Sequence, residues 1–85
     1  MPHTVELTKG AERHLDALES DVAQRVLATV AILRDNPRAR GYIKLAGERD
    51  LYRIRAGTYR IIYQIDDKIK HVVVLKILHR REAYR

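Results

Sequence analysis

The chain has 85 residues, 46% of them hydrophobic, with no cysteine and a net charge of +6 from 17 Lys and Arg against 11 Asp and Glu. That length and composition support one small globular domain over residues 1–85 and exclude disulfide staples, thiolate metal sites and a cysteine nucleophile. A pI of 10.0 predicts a polyanionic partner, nucleic acid or an acidic protein or both.

The N-terminal run Met1-Pro2-His3-Thr4-Val5-Glu6 is polar and has no apolar segment of signal-peptide type. No apolar run is longer than that of 72–75, which is of strand length, so no membrane span is expected. With the missing cysteines this predicts a cytoplasmic location. Val5 and Leu7 alternate with Thr4 and Glu6, which predicts a short first strand. Thr8 can cap the helix that follows, on which Ala11, Leu15 and Leu18 form one apolar stripe. Ser20-Asp21 marks a break and a second cap. Val22, Val26, Val30 and Leu33 then form a stripe, widened by Ala23 and Leu27. Asn36-Pro37 ends this helix, because a residue before proline avoids the α region.

Residues 38–49 read as a loop with Gly41 and Gly47, anchored to the core by Leu45. From Asp50 the apolar period becomes two. The pattern predicts a strand over 51–56, a tight turn at Gly57-Thr58, a strand over 59–65, a turn at Asp66-Asp67-Lys68 and a strand over 71–78. Residues 79–85 form a polar tail. The fold class is α+β in the order β-α-α-β-β-β, a helical hairpin packed on an antiparallel sheet.

Side chains alternate across a strand. A two-residue turn at Gly57-Thr58 sets Arg55 opposite Arg60 and Ile54 opposite Ile61. Tyr52, Ile54, Ala56, Tyr59, Ile61, Tyr63 and Ile65 then form the core face. Leu51, Arg53, Arg55, Arg60, Ile62 and Gln64 form the other face, with three arginines expected to be exposed. Like charges directly across a hairpin are destabilising, and a bound anion removes the repulsion. The planar guanidinium fork suits phosphate; the plain alternative is a solvated basic strand face. In the last strand Lys76 should avoid the core. That assigns Val74, Lys76 and Leu78 to the arginine face, and Val73, Leu75 and Ile77 to the core. Lys76 and Arg81 extend the basic patch for RNA or phosphate binding.

In the tail, His79 is the residue type that titrates near neutrality unaided, and Tyr84 can stack on a base or donate a hydrogen bond. A metal hydrolase is not expected: His71 and His79 stand on an extended segment about 26 Å apart at ~3.3 Å per residue, and His3 and His14 lack ligand spacing. There is no Gly-rich phosphate loop and no Ser-His-Asp pattern.

The run Leu51-Tyr52-Arg53-Ile54-Arg55-Ala56-Gly57-Thr58-Tyr59-Arg60-Ile61-Ile62-Tyr63-Gln64-Ile65 resembles the core motif of the RelE/ParE toxin superfamily. The ending His79-Arg80-Arg81-Glu82-Ala83-Tyr84-Arg85 resembles that of its RelE branch, and Leu45-Ala46-Gly47 resembles the segment preceding the core. The resemblance implies a RelE-like fold and a type II toxin. It implies a ribosome-dependent endoribonuclease that cleaves messenger RNA in the A site by attack of the 2′-OH on the adjacent phosphate, with no cofactor or metal. Arg53 and Arg55 stand where relatives carry basic residues, often lysine. Arg60 matches a phosphate-binding arginine, Arg80 the arginine near the leaving group, and Tyr84 the tyrosine that positions the scissile nucleotide. Arginine, with a pKa above about 12, does not serve as a base as lysine can, so His79 is the candidate acid or base.

The implied partners are a cognate acidic antitoxin, messenger RNA on the ribosome, and operator DNA only through the antitoxin. Two other readings share the fold: a ParE-type DNA gyrase inhibitor, and an inactive toxin homologue acting with its antitoxin in operon repression.

Overall fold

The computed structural model describes residues 3–45, 47, 50–79 and 81. The first strand, β1, is Thr4–Leu7. Thr8 leaves the helical conformation, and its side chain accepts from Ala11 N at 3.1 Å, satisfying an otherwise orphaned amide of helix α1, Lys9–Asp16. Helix α2 is Ser20–Asp35. Its cap is Glu19, which makes no side-chain cap bond; Ser20 is already helical, one residue earlier than the expected break. The helix ends at Asn36, extended at φ −150° as the residue before Pro37 must be. Asn36 Oδ1 then accepts from Arg38 N at 3.1 Å.

Four strands follow the loop: β2 Ile43–Lys44, β3 Leu51–Ala56, β4 Tyr59–Asp66 and β5 His71–His79. The sheet order is β1-β5-β4-β3-β2. All neighbouring pairs are antiparallel except β1 and β5, which run parallel. The α1–α2 hairpin and the later strands separate β1 from β5 in sequence, which leaves room for a parallel pairing. Strand β2 has only two residues, too few for a periodicity to announce it.

Ala11, Val26, Val30 and Leu33 from the helices and Tyr52, Ile54, Ala56, Ile61, Tyr63 and Ile65 from the central hairpin are buried in one core. Leu15, Leu18, Val5, Leu7 and Tyr59 pack partly against it. Leu27 is 47% exposed: it follows Val26 directly and is turned about 100° round the helix from that buried stripe. Leu45 is half-buried, and its N–H donates to Leu51 O at 2.9 Å. The fully buried Tyr63 donates its hydroxyl to Pro37 O at 2.7 Å, tying the end of α2 to the sheet. Burial holds this phenol above its ordinary pKa, so it stays a neutral donor. Removing the hydroxyl would leave a buried carbonyl unpaired, at about 1–3 kcal/mol.

The last strand corrects one assignment. A register shift between Ile62 and Tyr63 pairs Ile62 with Lys76 but Tyr63 with Val74, leaving Leu75 as the extra residue. Such a bulge reverses side-chain parity. Lys76 and Leu78 therefore stay on the arginine face and Ile77 in the core, as expected. Val72 and Val74, both 0% exposed, belong to the core, whereas Val73 pairs with Gln64 on the outer face and Leu75 is only half-buried.

Candidate phosphate-binding face

The turn at Gly57-Thr58 fixes the site. Gly57 has φ of 64°, the left-handed value that two-residue hairpin turns favour at their first central position. The strands it joins pair Arg55 with Arg60 and Arg53 with Ile62. Extending the register outward gives two rows across the sheet. One runs Leu78–Arg60–Arg55; the other runs Lys76–Ile62–Arg53–Ile43. Cross-strand partners share a face, so three arginines and one lysine stand on the side away from the helices.

Their exposure is unequal. Arg55 and Lys76 are exposed and Arg53 is half-buried, but Arg60 is only 5% exposed. The expectation of three exposed arginines is thus corrected for Arg60. It lies in a central strand, flanked by Arg55 and Leu78. Its Nη1 donates to Tyr59 O at 3.3 Å. A groove of about 310 Å³, lined among the described residues by Gly41, Ile43, Arg53, Arg55 and Arg60, opens here.

His79 is not brought to this groove by the sheet. Its cross-strand partner is Tyr59, next to Ala56 in register, on the face opposite Arg60. The imidazole meets the Tyr59 ring edge-on at 5.3 Å, and its Nδ1 accepts from Arg81 N at 3.3 Å. Arg81 is exposed in the segment just past the strand. Arg80 and Tyr84 lie outside the described residues, as do Ala46 of the motif before the core and Glu82, Ala83 and Arg85 of the tail.

The opposite end of the same sheet face is acidic. Asp66 pairs with His71 across β4 and β5, and Glu6 Oε2 lies 3.1 Å from His71 Nε2. A wider hollow of about 540 Å³ is lined by Asp50, Gln64, Ile65, Asp66, Asp67, Lys68, His71 and Val73. Asp67 receives both Nη atoms of Arg38 at 2.9 Å, and this fork holds its carboxyl below the usual carboxylate range. Among the described residues, no group of three or more His, Cys, Asp or Glu could hold a metal ion. No helix among them is long and apolar enough to cross a membrane.

Sequence reading missed Ile43 and Gly41 as parts of the site. The one signal for them was the alternation of Ile43 and Leu45 about Lys44, too short to distinguish from loop.

The sequence family described as ParE toxin of type II toxin-antitoxin system, parDE, matches residues 5–84. The chain is 36% identical over 90 residues to "Toxin RelG" of Mycobacterium tuberculosis, covering 100% of this chain and 99% of that protein. Among solved structures it is similar to the toxin–antitoxin complex RelBE2 of M. tuberculosis, with TM-score 0.84 and 34% identity over 94% of this chain and 100% of that one. It is also similar to the archaeal RelE–RelB complex of Pyrococcus horikoshii, with TM-score 0.83 and 35% identity over 94% of this chain and 97% of that one.

Proposed function

The chain belongs to the RelE/ParE superfamily of type II toxin–antitoxin toxins, and on that premise we propose that it is a metal-independent, ribosome-dependent endoribonuclease acting on messenger RNA. The observation that carries this reading is the clustering of Arg53, Arg55 and Arg60 about one groove, with Lys76 in the adjoining row. In the proposed reaction the ribose 2′-hydroxyl gives its proton to solvent as its oxygen bonds to the adjacent phosphorus, and the bond to the 5′-oxygen breaks as that oxygen takes a proton from solvent. The products are a 2′,3′-cyclic phosphate and a 5′-hydroxyl. Negative charge grows on the phosphoryl oxygens at the transition state, where fixed cations that need no reorganisation are most effective. Arg60, held under cover, is a preorganised donor; Arg55 and Arg53 add charge at the groove wall. Their high pKa makes them charge stabilisers rather than proton carriers.

His79 enters this mechanism as a positioning residue. Its Nδ1 accepts from Arg81 N, which ties Arg81 to the end of β5. In this proposal Arg80 acts at the leaving oxygen, Arg81 on the RNA backbone and Tyr84 on the scissile nucleotide. The groove is shallow, so the ribosome supplies the orientation of the strand. The antitoxin partner is an acidic chain whose amphipathic helix lies against the toxin and neutralises the arginine face; operator DNA is reached only through it. The similar structures RelBE2 and archaeal RelE–RelB are a toxin–antitoxin complex and a RelE–RelB complex.

The test is cleavage of messenger RNA on translating ribosomes, read by toe-printing, with a chelator that leaves the ribosomes intact. Cuts in the A site with cyclic-phosphate and 5′-hydroxyl ends are expected, with naked RNA cut poorly. Recovery of 5′-phosphate ends would sink the mechanism. The description of the matching family as ParE favours one second reading, a gyrase inhibitor. Blocked supercoiling by purified gyrase beside intact A-site messages would establish it in place of the nuclease.

A further inference from the structure

Strand β2 sets an isoleucine among the cations. Edge strands ordinarily carry charge on their outward positions, yet Ile43, cross-strand partner of Arg53, is 50% exposed on the edge of the cationic face. A lone exposed apolar side chain is ordinary. This one is not isolated: its row reads Lys76, Ile62, Arg53, Ile43, cation and hydrocarbon in alternation at ~4.8 Å per strand. Ile62 is half-buried and Ile43 lines the groove with the arginines. At the rim stands Gly41, with φ of 96° and nothing within 4 Å of where a Cβ would be, so this position sets no side chain beside the half-exposed Ile43.

Phosphate alone has no use for hydrocarbon. A nucleotide does, because it joins an anion to a flat, weakly polar base. We infer that the groove takes one nucleotide of single-stranded RNA, with its phosphate on Arg53, Arg55 and Arg60 and the face of its base against Ile43. This rests on the nuclease reading and adds to it the residue that receives the base. Isoleucine offers no hydrogen bond, so the wall distinguishes a nucleotide from a bare anion without selecting the base.

The experiment follows backbone amide shifts of the purified full chain on titration with inorganic phosphate, uridine 3′-phosphate and adenosine 3′-phosphate. Both nucleotides should bind more tightly than phosphate, by about 5- to 10-fold for burial of part of one aliphatic side chain. Ile43→Asn should bring both nucleotides down to the affinity of phosphate and leave phosphate itself unchanged. Ile43→Leu should restore the difference, which a purely structural role for β2 would not require of the ligand. Arg60→Ala should weaken all three ligands together. Equal affinity of wild-type protein for phosphate and nucleotides, or an undiminished nucleotide preference in Ile43→Asn, would overturn the base wall alone. Failure of all three ligands to bind would overturn the phosphate site assigned to the groove as well, whereas the nuclease reading falls only with the ribosome assay.

Discussion

The two ends of the outer sheet face use charge in opposite ways. At the β4–β5 turn, acid meets base: Glu6 lies against His71 on that face, and at the end of the strands the Arg38 fork, which also lies over the ring of Tyr52 on the core side, grips Asp67. At the β3–β4 turn, Arg55 is set directly across from Arg60, with Arg53 beside them. The first arrangement favours folding by a small amount, as partly exposed pairs do. The second sets like charges directly across two strands, which is unfavourable for that pair in itself; this is the end to which the phosphate of the proposed reaction is assigned.

Removing the covered arginine should break the contrast most severely. Arg60→Ala is expected to lower single-turnover cleavage on ribosomes by roughly 100-fold or more, the scale of losing one preorganised donor to a developing oxyanion. Because Arg60 is 5% exposed, Arg60→Lys is the companion variant: it keeps charge but loses the fork, and should recover only part of the rate. Full activity in Arg60→Ala, with an unchanged circular-dichroism spectrum, would take Arg60 out of the site; full activity in Arg60→Lys would show that charge suffices without the fork.

Arg55→Thr should separate folding from activity. Relief of the facing charges is expected to raise stability by about 0.2–1 kcal/mol in a denaturant melt, while cleavage falls by at least roughly 10-fold. Most of the stability gain should vanish near 1 M salt, where the screening length is about 3 Å. A variant that is less stable at low salt would show that the arginines do not oppose one another.

His79→Gln tests the two assignments of that residue. As a positioning residue it should lower the rate modestly, within about 10-fold, and leave the shape of the pH–rate profile unchanged. Loss of a titrating limb in the variant would instead make His79 a proton carrier, and would require the tail to turn its ring toward the arginines.

The smallest effect belongs to the acidic end. Asp67→Asn should leave cleavage unaltered and lower the melting temperature slightly at pH 7. The Asp67 carboxyl is held below its ordinary range by Arg38, so its contribution is complete above the unfolded pKa near 4 and is lost as pH falls through the depressed folded value. The difference between the two proteins should therefore close below about pH 4. A difference that persists in acid would place its origin elsewhere than in the ion pair.

Part of this protein is decided by contiguous residues and is legible in the sequence alone. Gly57-Thr58 is a two-residue connection, so the chain itself declares the pairing of Arg55 with Arg60 and of Ile54 with Ile61. The Thr8 cap and the stop at Asn36-Pro37 are legible for the same reason, since their hydrogen bonds and steric limits lie within a few residues. Partners distant in sequence decide the rest. The bulge opposite Ile62 and Tyr63 moves Val74 into the core and Val73 out of it, because β5 must satisfy β4 on one edge and the parallel β1 on the other. The two-residue β2 places Ile43 beside Arg53 only because β3 offers it an edge. The covering of Arg60 and the turning of His79 toward Tyr59 are likewise products of strand order and register. Alternation assigns a side chain to one face of a strand; which neighbours then cover it depends on strands paired across the sheet.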